Sequence, residues 1–225
     1  MYAKYIKRVI DFILSLLALI VLFPFLLVFA IIGAISLKGN PFFTQLRPGK
    51  DEKIFKMIKF RTMTNERDAS GRLLPDHARL TRYGRFLRAT SIDELPELLN
   101  IIKGDMAIIG PRPQLVRDMV FMTETQRLRH TVRPGLSGLA QINGRNAINW
   151  DSKLSFDLEY IENITFAQDM KIIFRTVCQL LKHSDEFDGE IEIVEDFGDY
   201  LLRIGRVEQE EYDKNIEEAK ELINA

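Results

Sequence analysis

At 225 residues, 28% charged and 46% hydrophobic, the chain has room for one good core and an accessory segment, in ordinary globular proportions. Cys178 stands alone, which excludes a disulfide framework and makes a reducing compartment the default. His77, His130 and His183 are scattered without metal-ligand spacing, which argues against a zinc site.

The net charge of −1 conceals a gradient. Residues 1–92 carry 16 Lys/Arg against 6 Asp/Glu, residues 93–183 carry 11 against 11, and residues 184–225 carry 4 against 15. A basic front half beside apolar sequence points to an anionic surface or substrate. Nucleic acid is a poor fit, because the basic residues lie against a membrane segment and lack an aromatic stacking platform.

Lys4, Lys7 and Arg8 precede a run from Phe12 to Leu37 of 26 residues without a charge. That is a membrane segment, too long for a signal-peptide core. A straight helix of this length reaches about 39 Å, enough to cross a bilayer with tilt. Pro24, however, divides it into halves of about 18 Å, short of a hydrocarbon core of about 30 Å. Both flanks are also basic, with Lys38, Arg47, Lys50, Lys53, Lys56 and Lys59 following, so the positive-inside rule finds no outside end. The expectation is a re-entrant helix broken at Pro24, with the freed backbone groups met by Ser15 or by neighbouring helices.

From Gly39 the pattern becomes globular. Asn40-Pro41 and Arg47-Pro48-Gly49 read as turns around Phe42 to Gln45, and Lys53 to Phe60 alternates apolar and basic residues, which predicts a small β-hairpin. Glu66 to Pro75 reads as a loop. Arg79, Arg82, Arg85 and Arg88 recur every three residues with Leu80, Tyr83, Phe86 and Leu87 between them, which predicts an amphipathic helix with an arginine row. Arg79 and Arg82 read as a solvated face; Arg88 lies within reach of a substrate phosphate near Asp93.

Leu95, Leu98, Leu99 and Ile102 then mark a short helix with an acidic start, Asp93-Glu94. Ser91 with Glu94 would form a capping box, but would put Pro96 at the fifth helical position, where its missing N–H is needed. Asp93 as N-cap puts Pro96 inside the first turn. Proline there removes a backbone donor that would otherwise occupy the Asp93 carboxylate, and the helix dipole keeps that carboxylate ionised. Asp93 therefore reads as an under-used, outward-facing anion, with an ordinary capping aspartate as the alternative.

Gly104-Asp105 ends this helix and Met106 to Ile109 is a short buried strand, delivering Gly110-Pro111-Arg112-Pro113. Two prolines fix the backbone of Arg112, which suits a bidentate grip on phosphate or nucleotide, or else a structural turn. The glycine-rich stretch from Arg133 to Asn146 lacks both nucleotide-loop signatures and reads as a turn presenting Gln141, Asn143 and Arg145. Residues 151–183 read as two helices, the second carrying Lys171, Arg175 and Lys182 on an apolar helix suited to a membrane surface. Ser184 to Gly189 marks a boundary. Beyond it lies an acidic tail whose Tyr212, Ile216, Ala219 and Ile223 form a narrow seam for docking or self-association.

Taken together, several ordered motifs carry a resemblance. They are Lys7-Arg8-x-x-Asp11 before the proline-interrupted helix, Pro41-Phe42-Phe43-Thr44-Gln45, Phe55-Lys56 with Lys59-Phe60-Arg61-Thr62-Met63, Thr90 to Pro96, Lys103-Gly104-Asp105-Met106, Gly110 to Pro113, and Arg133-Pro134-Gly135 to Asn143-Gly144-Arg145. Over about residues 1–183 the chain resembles the bacterial sugar transferases that are monotopic phosphoglycosyl transferases. It looks closest to small members that start N-linked or O-linked glycan assembly with diacetylbacillosamine.

The resemblance implies a mainly α fold with a small β-hairpin. Residues 1–38 would form the re-entrant membrane helix and 39–183 a compact cytoplasmic catalytic domain with membrane-surface helices, while 184–225, the acidic extension, has no counterpart in the resemblance. It implies transfer of sugar-1-phosphate from a UDP-sugar to undecaprenyl phosphate, with Mg²⁺ and release of UMP, at the cytoplasmic face of the bacterial inner membrane among its phospholipids. Asp93 is then the nucleophile of a ping-pong reaction, with Mg²⁺ held by Asp93 and Glu94. Lys59, Arg88, Arg112 and Arg145 are the cations aimed at phosphoryl oxygens. Pro111 and Arg112 border the uridine site, and Asp157 is a weaker, supporting residue on the substrate side. The chain departs from the pattern at Phe23-Pro24, where small members often have Ser-Pro, and at Leu139, often tryptophan. A hexose-1-phosphate transferase for capsule or exopolysaccharide, and a non-catalytic membrane-anchored scaffold, are the alternatives.

Overall fold

The computed structural model describes residues 1–144, 148–183 and 195–224. A π-helical turn, Tyr2–Ile6, leads into α1, Lys7–Ser36, which contains Pro24. It is, among the described residues, the one helix long and apolar enough to cross a membrane by length and composition. Two separate half-helices are not seen. A proline removes one rung of the hydrogen-bond ladder, and in so apolar a run the rungs on either side carry the helix through. Ser15, expected to serve backbone groups near Pro24, is instead buried with its hydroxyl unbonded among the described residues.

One side of α1 is held along most of its length by the rest of the chain. Lys7 Nζ donates to Asp169 Oδ2 at 2.6 Å, and Ile108 N–H donates to Asp11 Oδ1 at 3.3 Å. Ala18 and Leu22 pack on a core of Phe55, Met57, Leu98, Ile101 and Met106. Near the other end, Tyr83 Oη donates to the Phe29 carbonyl at 2.8 Å while Phe29 stacks on Phe86. Gly33 makes room for that contact, since a Cβ there would lie 2.8 Å from Tyr83 Oη. The opposite side, including Ile20, Val21, Phe23 and Phe25, is exposed.

The hairpin is present: β1, Phe42–Pro48, pairs antiparallel with β2, Ile54–Phe60, from Phe42 opposite Phe60 to Pro48 opposite Ile54. Arg47 and Pro48 belong to β1 rather than to the turn. The single arginine-bearing helix is corrected. Two helices form, α2, Asp76–Arg79, and α3, Arg82–Ala89, with Leu80 extended between them. The break comes from Thr81, whose Oγ1 accepts from Gly84 N–H at 2.9 Å and so starts a new helix. Gly84 lets that helix rest on the backbone after β2, because a Cβ would sit 1.9 Å from the Thr62 carbonyl oxygen.

A 3₁₀ turn, Ile92–Glu97, runs into α4, Leu98–Lys103, which stops at Gly104 with φ +100°. Then β3, Ala107–Ile109, the short buried strand expected there, pairs in parallel with β4, Gly135–Ser137, which lies inside a stretch expected to be only a turn. The two strands meet through glycine, since a Cβ on Gly135 would lie 2.1 Å from Gly110 N. Between them lie α5, Val116–Met119, and α6, Glu124–Arg127; after them come α7, Leu139–Ile142, α8, Trp150–Glu162, and α9, Phe166–His183. The two helices expected over 151–183 are α8 and α9. Ile172 of α9 is buried, whereas Phe166, Met170, Phe174, Val177 and Leu181 form an exposed apolar stripe.

The extension folds as α10, Phe197–Arg203, and α11, Gln209–Asn224. Three of its four expected seam residues, Tyr212, Ile216 and Ala219, pack within the chain against a core that includes Phe121, Trp150 and Phe197.

Candidate active site

The site forms where β2, the 3₁₀ turn and the segment after β3 converge. Asn100 of α4 docks that helix on β2: its Oδ1 accepts from Ile58 N–H at 3.1 Å and its Nδ2 donates to the Lys56 carbonyl at 2.8 Å. Lys59, one residue on from Ile58, is thereby laid against the acidic turn.

Asp93 is not an N-cap. It lies inside the 3₁₀ turn, and Ser91 occupies the cap position in the left-handed region, φ +54°, without a side-chain bond. Pro96 explains the tighter turn: in an α-helix its ring would collide with the carbonyl four residues earlier, and the 3₁₀ form relaxes that demand. The uncommitted carboxylate survives by this other route, whereas the expected hold of a helix dipole on its ionised form is outweighed by burial. Asp93 makes no hydrogen bond or ion pair with any described residue.

Its neighbour is the opposite case. Glu94 accepts from Lys59 Nζ at 2.8 Å and from Arg112 at 2.5 and 3.3 Å. Lys59 also lies 3.2 Å from Glu97 Oε1, and Glu97 is only 1% exposed. Arg88 Nε donates to Thr62 Oγ1 at 3.0 Å. Burial and the Glu94 charge push the Asp93 carboxyl up to about 6, against the pull of Lys59, Arg88 and Arg112. Burial likewise lifts Glu97 to about 7, against the pull of Lys59. Glu94 is also desolvated, yet Arg112 and Lys59 hold it well below the ordinary carboxylate range. The Glu94 charge in turn holds the Arg112 guanidinium above its ordinary value. Three adjacent carboxyls thus have separated proton affinities, an arrangement common where acids and bases are assigned distinct work.

Arg112 is presented as its flanking prolines suggest, with further support. Its carbonyl accepts from Arg129 at 2.6 Å, and Arg129, buried beside it, pairs with buried Asp157 at 2.7 Å. Asp157 therefore sits behind Arg112 rather than beside the carboxylates. Pro111 is buried next to Arg112, and Arg145 lies outside the described residues. Two members of the cluster are not legible in the sequence as site residues. Glu97 has only its position, the next acid one helical turn after Asp93, to mark it, and Arg129 carries no signal beyond its type.

A cation such as Mg²⁺ asks for oxygen donors, usually one or two carboxylates completed by water and substrate phosphate. Among the described residues, no three His, Cys, Asp or Glu side chains gather as a cage. Asp93 has uncommitted oxygens and fits such a role. Glu94 fits less well, because it would have to give up part of its grip by Lys59 or Arg112.

A basic and acidic cluster on a mostly helical protein with a long apolar N-terminal helix describes a membrane-associated enzyme of anionic substrates. The chain belongs to the bacterial sugar transferase family, whose sequence model matches residues 2–183. It is 48% identical over 183 residues to the uncharacterized sugar transferase EpsL of Bacillus subtilis (strain 168), covering 78% of this chain and 87% of that one. It is 40% identical over 181 residues to a UDP-glucose:undecaprenyl-phosphate glucose-1-phosphate transferase of Klebsiella pneumoniae, covering 76% of this chain but 39% of that protein. It is 30% identical over 203 residues to the undecaprenyl-phosphate galactose phosphotransferase of Salmonella typhimurium, covering 82% of this chain and 42% of that protein.

Proposed function

We propose that this chain transfers sugar-1-phosphate from a UDP-sugar to undecaprenyl phosphate through a covalent phosphosugar-aspartyl intermediate. The observation that carries the reading is the contrast within one dipeptide: Glu94 is gripped by Lys59 and Arg112, while Asp93 beside it has no partner among the described residues. A structural carboxylate in a basic pocket would be paired; an unpaired one within the field of three cations is poised to attack an anion.

In the first half-reaction an Asp93 oxygen bonds to the sugar-bearing phosphorus. The bond from that phosphorus to the bridging oxygen breaks, and its electron pair leaves with UMP. In the second, the oxygen of undecaprenyl phosphate attacks the same phosphorus and frees Asp93. Arg112, fixed from behind by Arg129, and Lys59 neutralise charge on the phosphoryl oxygens, with Arg88 and Arg145 as further members of the cationic set. Mg²⁺, where bound at Asp93 with substrate phosphate, supplies additional positive charge for the diphosphate. Glu94 keeps Lys59 and Arg112 in register, and Glu97 offers a proton-accepting group close to neutrality.

We also place the enzyme on one leaflet of the bacterial inner membrane, with the globular part on the cytoplasmic face. Lys7 and Gly33 are about 39 Å apart along an ideal helix, yet side chains of the same globular part touch both ends. Were α1 to cross straight, charged residues around Tyr83 would be carried through hydrocarbon. The exposed apolar stripe of α9 supports a surface-bound pose.

The names of relatives acting on glucose and galactose favour a hexose, and the resemblance to small family members favours diacetylbacillosamine. The test is UMP release by nanodisc-held protein with Mg²⁺ and undecaprenyl phosphate across a panel of UDP-sugars. Release with one sugar supports the reading and identifies the sugar, whereas a folded protein silent across hexose, N-acetylhexosamine and bacillosamine donors favours a scaffold.

A further inference from the structure

The extension over residues 195–224 lies beyond the part of the chain that matches the family, 2–183, and the proposed chemistry makes no use of it. Its contacts are concentrated in two places. The first is the segment that follows Arg112. Asp118 of α5 uses Oδ2 to accept from Leu115 N–H at 3.0 Å and Oδ1 to accept from Phe197 N–H at 2.9 Å, so one buried carboxylate ties the end of the Arg112 turn to the first residue of α10. Arg117, beside it, pairs with Asp196 at 2.8 Å and Asp199 at 3.3 Å and donates to Tyr212 Oη of α11.

The second place is the start of α8, which follows the segment containing Arg145. Trp150 Nε1 donates to the Glu195 carbonyl at 2.9 Å and its ring lies 5.0 Å from that of Phe197. Gly198 permits this docking, because a Cβ there would lie 2.5 Å from the Phe121 ring. An acidic tail made only for solubility would touch the domain anywhere, or nowhere. This one grips the stretches just downstream of two arginine motifs, on a layer that Arg47 joins by donating from a half-buried position to the Pro113 carbonyl.

We propose that residues 195–224 are a positioning clamp that sets the Arg112 turn for the UDP-sugar, with Asp196, Phe197 and Asp199 as its positioning residues. This rests on the reading of the site as a UDP-sugar site. The clamp acts through backbone placement: Asp118 and Arg117 hold the exit of the turn whose entry is held by β3, so Arg112 is fixed from both sides. Arg117 thereby offsets part of the negative charge that Asp196 and Asp199 bring to this contact.

The test uses the full chain in nanodiscs with two variants. Asp196→Asn/Asp199→Asn weakens the Arg117 contacts at partly exposed positions, and Phe197→Asp places a charge where a buried ring belongs and unseats α10. Hydrogen exchange over residues 111–119 and steady-state kinetics are read together. The clamp requires faster exchange at 111–119 in Phe197→Asp and a KM for the UDP-sugar raised about 5- to 50-fold, with the KM for undecaprenyl phosphate within twofold of wild type. The double variant is expected to move both readouts in the same direction by less. Unchanged exchange at 111–119 while 195–224 exchanges freely overturns the proposal. So does faster exchange with an unaltered UDP-sugar KM, which reduces the extension to a stabilising cover. If the wild type releases no UMP, the functional reading fails, while the exchange measurement still decides whether the extension holds the turn.

Discussion

Arg112 donates two hydrogen bonds to Glu94 and none to Asp93, the residue beside it. The two carboxylates are thereby given different lives. One serves as a fixed counter-ion for the guanidinium, and the other is left with its oxygens free inside a positive field.

Replacing the free one separates chemistry from folding. Asp93→Asn is expected to lower UMP release by about 10³-fold or more and to abolish the covalent phosphosugar adduct seen by mass spectrometry of intact protein. Its thermal midpoint should not fall. Adduct formation by this variant at the wild-type rate would remove Asp93 from the reaction.

The same residue sets a pH dependence. On the proposed mechanism only the ionised form of Asp93 attacks, and with burial pushing its carboxyl up to about 6, kcat/KM for the UDP-sugar should rise with pH and level off above about 6. Arg88→Gln removes a charge that pulls this value down, so the rising limb should move to higher pH. The stability effect has the opposite sign to that of a salt-bridged aspartate. Folded Asp93 keeps its proton to higher pH than the unfolded chain does, so its contribution to stability declines as pH rises from about 4 to about 6. Thermal midpoints measured at pH 8 should therefore be equal or higher in Asp93→Asn than in wild type. A lower midpoint would contradict the desolvated, unpaired state of the carboxylate.

Behind the site, Asp157→Ala leaves the Arg129 guanidinium buried without its charge partner, at a cost of about 3–5 kcal/mol. Denaturant unfolding gives that number directly. Because Arg129 also holds the Arg112 carbonyl, variant that still folds should show a raised UDP-sugar KM. A loss below about 1 kcal/mol would mean that the pair is not desolvated.

Gly84→Ala tests how α3 is seated. A methyl group there meets the Thr62 carbonyl oxygen, a backbone atom that cannot rotate away, so a loss of about 1–3 kcal/mol is expected, with Arg88 displaced from Thr62. Unchanged stability would show that α3 can lift from the hairpin freely.

The proposed placement on one leaflet is tested by labelling. Cysteines introduced at Tyr2 and Gly39 should both react with an impermeant reagent from the cytoplasmic side; reaction of only one would indicate a crossing helix.

Much of this was legible because it depends on local pattern. An uncharged run of 26 residues announces α1, and the apolar-basic alternation from Lys53 to Phe60 announces β2. Asp93, Glu94, Lys59 and Arg112 stood out because their motifs occur in order. What could not be read depends on partners far away in the chain. The pairing of Ala107 with Gly135 joins two three-residue strands, each too short to carry a period. The arginine row looked like one helix because its spacing is helical, whereas the Thr81 hydroxyl and the missing Gly84 side chain split it. Glu97 and Arg129 acquire their roles only from burial. The tail's seam was visible as a stripe, but its docking site was not, since nothing in a stripe says which surface it will meet.

On the proposed function, the hydrogen bond from Tyr83 to the Phe29 carbonyl, together with the ring stacked beside it, has a consequence for how a lipid acceptor would be met. A domain hung from a flexible tether would tumble, and each encounter with a polyprenyl phosphate would also require the right tilt and height. Here the domain is clasped to its own long apolar helix at both ends, so in the proposed pose its depth and orientation would be settled before any substrate arrives. The search for the lipid would then reduce to sliding in a plane, at a constant elevation, with the reactive face always turned the same way.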